Sequence, residues 1–301
     1  MAKIFKSHGK LMITGEYFVL RGAKSLLLPT KFFQDMTVSK LNKEPIISWE
    51  SYDHNHKKWF SVNFNMPEIT IMGEKTEQKI FLKKILDFVI KKIPKIFDNN
   101  IGLKIKTRMD FQRNWGLGSS AILINNLSNY FGLDPFEISK NVTNSSGADI
   151  ASVLSPRPII YSLSNEKPIF KHVNFNPQFS KNLFFIFLNK KQISSKEVEK
   201  FKTLKIEDSE IKSITQITNE IINCKKINDF NYLINEHEEI ISSKIKRKTV
   251  KDLLFKDFKG SIKSLGAWGG DFVLACSENN CKNYFKSKGF ETSFSFEDML
   301  K

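Results

Sequence analysis

An eight-residue stretch, Asn114 to Ala121 (N-W-G-L-G-S-S-A), constrains this chain more than any other. Two glycines flank one leucine and two serines follow. Apolar residues then recur at Ala121, Ile122, Leu123, Ile124, Leu127, Tyr130 and Phe131, enough to line one helix face. Just upstream, Ile101 to Met109 alternates apolar and polar residues, as a half-buried strand does. The order is therefore strand, glycine loop, helix start. It leaves backbone N–H groups at the positive end of a helix dipole, where an anion is welcome. Glycines let that backbone approach a phosphate closely, and the hydroxyls of Ser119 and Ser120 can bond a phosphate oxygen or Mg²⁺. The same pattern also serves as a plain tight turn with a serine cap. The Gly-Lys-Ser/Thr ending of a Walker loop is missing.

The chain has 301 residues, 41% hydrophobic and 26% charged, enough for one large domain or two lobes. No apolar run reaches membrane-spanning length, and Met1 to Lys10 lacks the apolar core of a signal peptide. Cys224, Cys276 and Cys281 show no metal-ligand spacing, and a reducing cytoplasm is expected. The formal net charge of +15 raises nucleic acid or an acidic membrane as partners. The lysines, however, are scattered among Ile, Asn and Phe and form no binding stripe. The dense cluster Lys244, Lys246, Arg247, Lys248 and Lys251 closes a predicted helix, where cations are favourable anyway. Neither nucleic acid nor a membrane is expected as a partner. A general positive field would still draw in polyphosphates.

Taken in order, Ala2 to Leu20 reads as two strands around a turn at Ser7 to Lys10, interrupted by Thr14-Gly15-Glu16. A glutamate within an apolar strand is either an edge bulge or a polar pocket wall. Phe32 to Leu41, Ile46 to Glu50 and Lys58 to Phe64 read as strands, and Gln78 to Ile93 as an amphipathic helix ended by Pro94. Asp134-Pro135 starts a short helix. Asn144 to Ala151 (N-S-S-G-A-D-I-A) is either another capped helix start or a carboxylate presented at a pocket. Pro158 to Leu163, Pro168 to Val173 and Leu183 to Leu188 are expected strands. Ser195 to Phe201, Glu207 to Lys225, Asp229 to Ser243 and Thr249 to Phe258 are expected helices. The end reads as strand, glycine turn at Leu265 to Asp271, strand (Phe272 to Cys276), helix (Asn279 to Lys288) and strand (Gly289 to Phe296), which suits a helix-covered antiparallel sheet.

Three motifs in this order resemble the GHMP kinases, the small-molecule kinases of galactose, homoserine, mevalonate and phosphomevalonate. They are Gly9 to Leu20 (G-K-L-M-I-T-G-E-Y-F-V-L), Gly116 to Ala121 (G-L-G-S-S-A) and Gly266 to Asp271 (G-A-W-G-G-D), and together they span nearly the whole chain. Within the family the look is closest to phosphomevalonate and mevalonate kinases, through Glu16-Tyr17, Gly147-Ala148-Asp149-Ile150-Ala151 and Gly269-Gly270-Asp271. The resemblance implies a two-lobed α+β fold. Residues 1–175 would form a nucleotide-binding lobe with a mixed sheet and helices. Residues 176–301 would form a ferredoxin-like lobe with a helix-covered antiparallel sheet. It implies ATP and Mg²⁺ as cofactors, with ATP phosphates on Gly116, Leu117, Gly118, Ser119, Ser120 and Ala121, and Mg²⁺ on Ser120. Asp149 matches the catalytic aspartate and Lys10 the lysine of the first motif. Gly266, Ala267, Gly269 and Gly270 would form the third loop, and Glu16, Tyr17, Ser145 and Ser146 are candidate substrate contacts. A homodimer is left open.

The chain departs from the family pattern in several places. Gln112-Arg113-Asn114-Trp115 replaces the proline usual before the second loop, and Arg113 either contacts a phosphate or is solvated. Trp268 stands for a small residue. Glu137 is the only acidic candidate for the metal glutamate of relatives, and it is poorly placed in a helix's first turn. Three functions stay open on sequence: a kinase of the mevalonate pathway, a diphosphomevalonate-type decarboxylase, and a catalytically altered homologue that binds nucleotide or metabolite and regulates a partner.

Overall fold

The structure is a computed structural model that describes residues 2–41, 44–94, 96–97, 101–143, 145–191 and 194–301. The order of elements begins β1 (Lys3–Met12), β2 (Ser25–Leu41), β3 (Ile46–Tyr52), β4 (Lys58–Asn65), β5 (Thr70–Ile71), α1 (Glu77–Lys92), β6 (Gly102–Met109), α2 (Ser119–Phe131), α3 (Pro135–Val142) and α4 (Ala148–Leu154). It continues with β7 (Ile159–Ser164), β8 (Lys167–His172), β9 (Leu183–Phe187), α5 (Ser194–Lys202), α6 (Asp208–Asn223), α7 (Ile227–Ile245) and α8 (Val250–Leu254). The last elements are β10 (Ser261–Ser264), β11 (Phe272–Cys276), α9 (Lys282–Ser287), β12 (Ser293–Ser295) and α10 (Phe296–Met299). The fold is α+β. Two compact units alternate along the chain: Met1–Gly9, Phe32–Arg113 and Ser119–Val153 make the first, and Lys10–Lys31, Asn114–Gly118 and Leu154–Lys301 the second.

In the first unit the strands run β5-β4-β3-β6-β2. β3 lies parallel to β6, Ile47 opposite Leu103, and β6 is antiparallel to β2, Val38 opposite Ile105. Alternate residues Ile47, Trp49, Leu103 and Ile105 are buried, as period-two patterning requires. Two polar residues on that face satisfy each other: Thr107 donates to Ser51, which also accepts from the Trp49 indole. α1 buries Leu82, Ile85, Leu86, Phe88 and Val89, and its Thr76 cap accepts from the Lys79 amide. Asp134 caps α3 by accepting from the Phe136 amide, with Pro135 in the first turn.

In the second unit Ser25 to Leu27 of β2 pair with Ile159 to Tyr161 of β7, and β7 pairs with β8. A separate antiparallel sheet runs β10-β11-β9-β12. Its buried residues Phe184, Ile186 and Val273 form one core with Phe255, Phe258 and Phe285. Among the described residues no helix is long and apolar enough to cross a membrane.

Four local expectations change. The turn foreseen at Ser7 to Lys10 is absent, and β1 runs unbroken. Ser7 is polar but buried, donating to Asn126 and accepting from Asn125, so it satisfies itself inside the fold instead of turning outward. The chain then leaves the strand, and Phe18–Arg21 forms a 3₁₀ turn where a strand was expected. The helix foreseen to Phe258 stops at Leu254, because Phe255 and Phe258 enter the core. The last strand shrinks to Ser293–Ser295. A capping box between Ser295 and Asp298 starts α10 at Phe296.

Candidate functional site

The second unit carries the glycine loop. Gly116 and Gly118 both sit at positive φ, +67° and +84°, which a side chain would strain. At the end of β1 the Lys10 amide donates to the Leu117 carbonyl at 3.0 Å. A Cβ on Gly118 would lie 3.1 Å from Cγ and Cε of Lys10, so the lysine stem lies flat against this glycine. Lys10 is only 8% exposed.

Gly116 meets the third motif. A Cβ there would overlap the Asp271 carboxylate. Asp271 itself takes a left-handed conformation (φ 54°). Its amide donates to the Lys190 carbonyl, and its carbonyl accepts from the Leu188 amide. Gly116→Ala is therefore expected to cost on the order of 1–3 kcal/mol, from backbone strain and from the displaced carboxylate. A urea midpoint within error of wild type would contradict this packing.

The rest of the third loop turns at Gly266 (φ +71°) and Gly269 (φ +93°), with Ala267 and Gly270 buried between and after them. Trp268 points into an aromatic core with Tyr17, Phe18 and Phe201, so its bulk is spent on packing. Its amide donates to the Tyr17 hydroxyl at 3.0 Å. Trp115 packs edge-on against Phe272 and Phe294.

Glu16 is 1% exposed and sits in a buried ionic cluster. Lys263 Nζ donates to Glu16 Oε1 at 2.8 Å, to Glu238 Oε1 at 3.2 Å and to the Ser264 carbonyl at 2.7 Å. The Gly15 amide donates to His237 Nε2 at 2.9 Å, so that nitrogen carries no proton. Burial, and then the Lys263 charge, lower the His237 pKa well below 6.5. The 3.6 Å approach of His237 to Glu16 is accordingly not an ion pair. Burial lifts the Glu16 carboxyl to about 7 against the pull of Lys263, and Glu16 Oε2 finds no donor. Tyr17 stacks on Phe201 and its phenol is pushed up to about 12 by burial. Glu16 and Tyr17 thus face the interior of this unit, where they hold the turn after β1.

The first unit carries the helix starts. α2 is 13 residues long and opens with Ser119 and the exposed Ser120; Ala121 is buried. Its first turn holds no acidic residue, so no carboxylate of its own opposes an anion there. Asp149 lies half-buried in the first turn of α4, after Gly147 at φ +81°. The Ser146 hydroxyl accepts from the Ala148 amide, and the exposed Ser145 hydroxyl lies 3.0 Å from that of Thr143. Glu137 is spent on a surface ion pair with Lys92. Arg113 lays its guanidinium 3.5 Å above the Trp59 ring, an aromatic contact rather than plain solvation.

Lys10, Gly116 to Gly118 and Asp271 are brought together within one unit, and the peptide bond after Gly118 leads directly into α2. Sequence reasoning missed Lys263, Glu238 and the role of Asp271. An acid ending the third glycine motif was a visible signal. Lys263 carried none, because β10 reads as an ordinary polar-apolar alternation.

No family model of aligned sequences matches the chain, and no curated protein matches it in sequence. Solved structures do. Mevalonate kinase from Methanococcus jannaschii superposes with a TM-score of 0.71 at 18% identity, covering 98% of this chain and 97% of that one. Phosphomevalonate kinase from Streptococcus pneumoniae, in complex with phosphomevalonate and AMPPNP, gives 0.72 at 16% identity over 97% and 99%. Lactococcus lactis galactokinase complexed with galactose gives 0.71 at 13% identity over 99% and 93%. The chain therefore has the fold shared by these GHMP small-molecule kinases from end to end.

Proposed function

We propose that this protein is an ATP-dependent kinase of a small molecule, with mevalonate or phosphomevalonate as acceptor. The observation that carries the reading is the glycine loop. Two positive-φ glycines, braced by Lys10 and Asp271, run into a 13-residue helix whose first turn offers two serine hydroxyls and no acid. Such a helix start favours a polyphosphate.

Phosphoryl transfer needs mostly positioning and charge neutralisation. In this reading the amides of residues 116–121 and the Lys10 ammonium hold ATP phosphates, and the loop at Gly266, Ala267, Gly269 and Gly270 closes over them. Asp149 accepts the proton of the acceptor's hydroxyl as it attacks. Ser145 and Ser146 contribute polar contacts to the acceptor, while Glu16 and Tyr17 act through the turn they support. Mg²⁺ fits this donor set. Among the described residues no group of three or more His, Cys, Asp or Glu forms a cage, and Mg²⁺ commonly relies on substrate phosphates plus one or two protein oxygens. The exposed Ser120 hydroxyl and Asp149 would supply those oxygens, and the ion would neutralise charge on the transferring group. The free thiols suit a reducing cytoplasm.

The test is coupled ADP release with mevalonate, phosphomevalonate, galactose and homoserine, each with ATP and Mg²⁺. Turnover confined to the first two is expected. Release of CO₂ from a diphosphorylated acceptor would make the protein a decarboxylase. Nucleotide binding with no product from any acceptor would make it a regulator, and either result overturns the kinase reading.

A further inference from the structure

The second unit contains a cavity of about 770 Å³ outside all three sequence motifs, walled by the start of β7, the end of β8 and the segment after it, and α10. That volume falls within the range of small-molecule sites. Lys31, Arg157 and Lys301 are cationic residues of its lining beside the acidic Glu297, and Asp298 on the same helix lies close enough to interact with the Lys31 charge. Its apolar side includes Phe175, which packs against Phe296 at 6.0 Å between ring centroids.

Arg157 is presented by a braced loop. Pro156 and Pro158 flank it, and the Ser155 hydroxyl both donates to its carbonyl (2.6 Å) and accepts from its amide (3.2 Å). Arg157 Nη2 lies 2.9 Å from His172 Nδ1. Arginine has no acceptor, so Nδ1 must accept, and His172 keeps Nε2–H as a second donor for a ligand. The guanidinium is thus oriented in advance, with further N–H groups left for a forked acceptor. A preset geometry lowers the ordering cost of binding.

We propose that this cavity binds a small organic polyanion, a molecule bearing two or more phosphate or carboxylate groups on a compact body. The pre-oriented Arg157 fork, with Lys31 and Lys301 on the same lining, suits a multivalent anion, and the Phe175 side suits its carbon skeleton. The site is independent of the kinase reading, since no residue in it belongs to the glycine loops.

Hydrogen exchange on the full-length protein tests it, with inorganic pyrophosphate and citrate as separate probes. Slower exchange in residues 155–160 and 172–176 is expected with at least one of them. Pyrophosphate alone acting would assign a phosphate ligand, and citrate alone a carboxylate ligand. Affinity should fall at least about tenfold in Arg157→Ala and further in Arg157→Ala/Lys31→Ala, while both variants keep wild-type urea midpoints. Pyrophosphate bound at the glycine loop would protect residues 114–122 instead and would be unchanged in these variants. No protection around Arg157 from either anion, or equal protection in the double variant, overturns the proposal.

Discussion

Asp149→Ala is expected to lower kcat by about 10²–10⁴, the usual contribution of a positioned acid or base, and to leave the protein folded. Asp149 is half-buried, while its neighbours Ala148 and Ile150 carry the packing of α4. Losing an acid from a helix's first turn costs about 0.3–1 kcal/mol, too little to unfold a domain of this size. Asp149→Asn is the sharper variant, since it keeps the size and removes the base. If Asp149 acts on the proton, both substitutions lose kcat alike. If it mainly holds Mg²⁺, the asparagine variant recovers in part as Mg²⁺ is raised. Lys10→Ala should also abolish turnover, but with a different signature. Its stem packs on Gly118, while the backbone amide that holds Leu117 survives the substitution, so weaker nucleotide binding through the lost stem and ammonium is expected beside the fall in kcat. Near-normal ADP release by Asp149→Ala would remove the central role given to this carboxylate.

The parts legible in the sequence were those whose cause is local. The alternation of Ile101 to Met109 and the helical spacing after Ser120 are short-range patterns, and β6 and α2 appear where they point. Asp134-Pro135 states a helix start in two residues, and α3 begins there. What could not be read depends on partners far along the chain. Ser7 looks like a turn residue until Asn125 and Asn126 bond it inside the fold. Glu16 reads as an edge bulge or a pocket wall until Lys263, 247 residues later, bonds it in the interior. The helix that stops at Leu254 obeys the aromatic core around Phe255, which overrides a sequence that would tolerate further turns. Trp268 stands where the motif has a small residue; the cluster of Tyr17, Phe18 and Phe201 supplies the place that receives it.

Lys263→Met is expected to destabilise the protein by about 3–5 kcal/mol at pH 8, because it leaves two buried carboxylates without their cation. Lys263, Glu16 and Glu238 are all at most 3% exposed, so water cannot take over. The loss should shrink near pH 5, and the sign follows from the titrations. Burial raises Glu16 from 4.5 to about 7, and it raises Glu238 as well. A group raised on folding contributes stability that is complete below its unfolded pKa and is lost as pH rises through the folded one. At pH 5 Glu16 holds its proton in the folded state and needs the lysine less, and burial moves Glu238 in the same direction. Urea midpoints of wild type and variant at pH 5 and pH 8 decide the matter. The double variant Glu16→Gln/Lys263→Met should recover part of the loss at pH 8 and change little at pH 5. An equal loss at both pH values, with no recovery in the double variant, would mean that Lys263 stabilises the turn after β1 through packing of its stem alone.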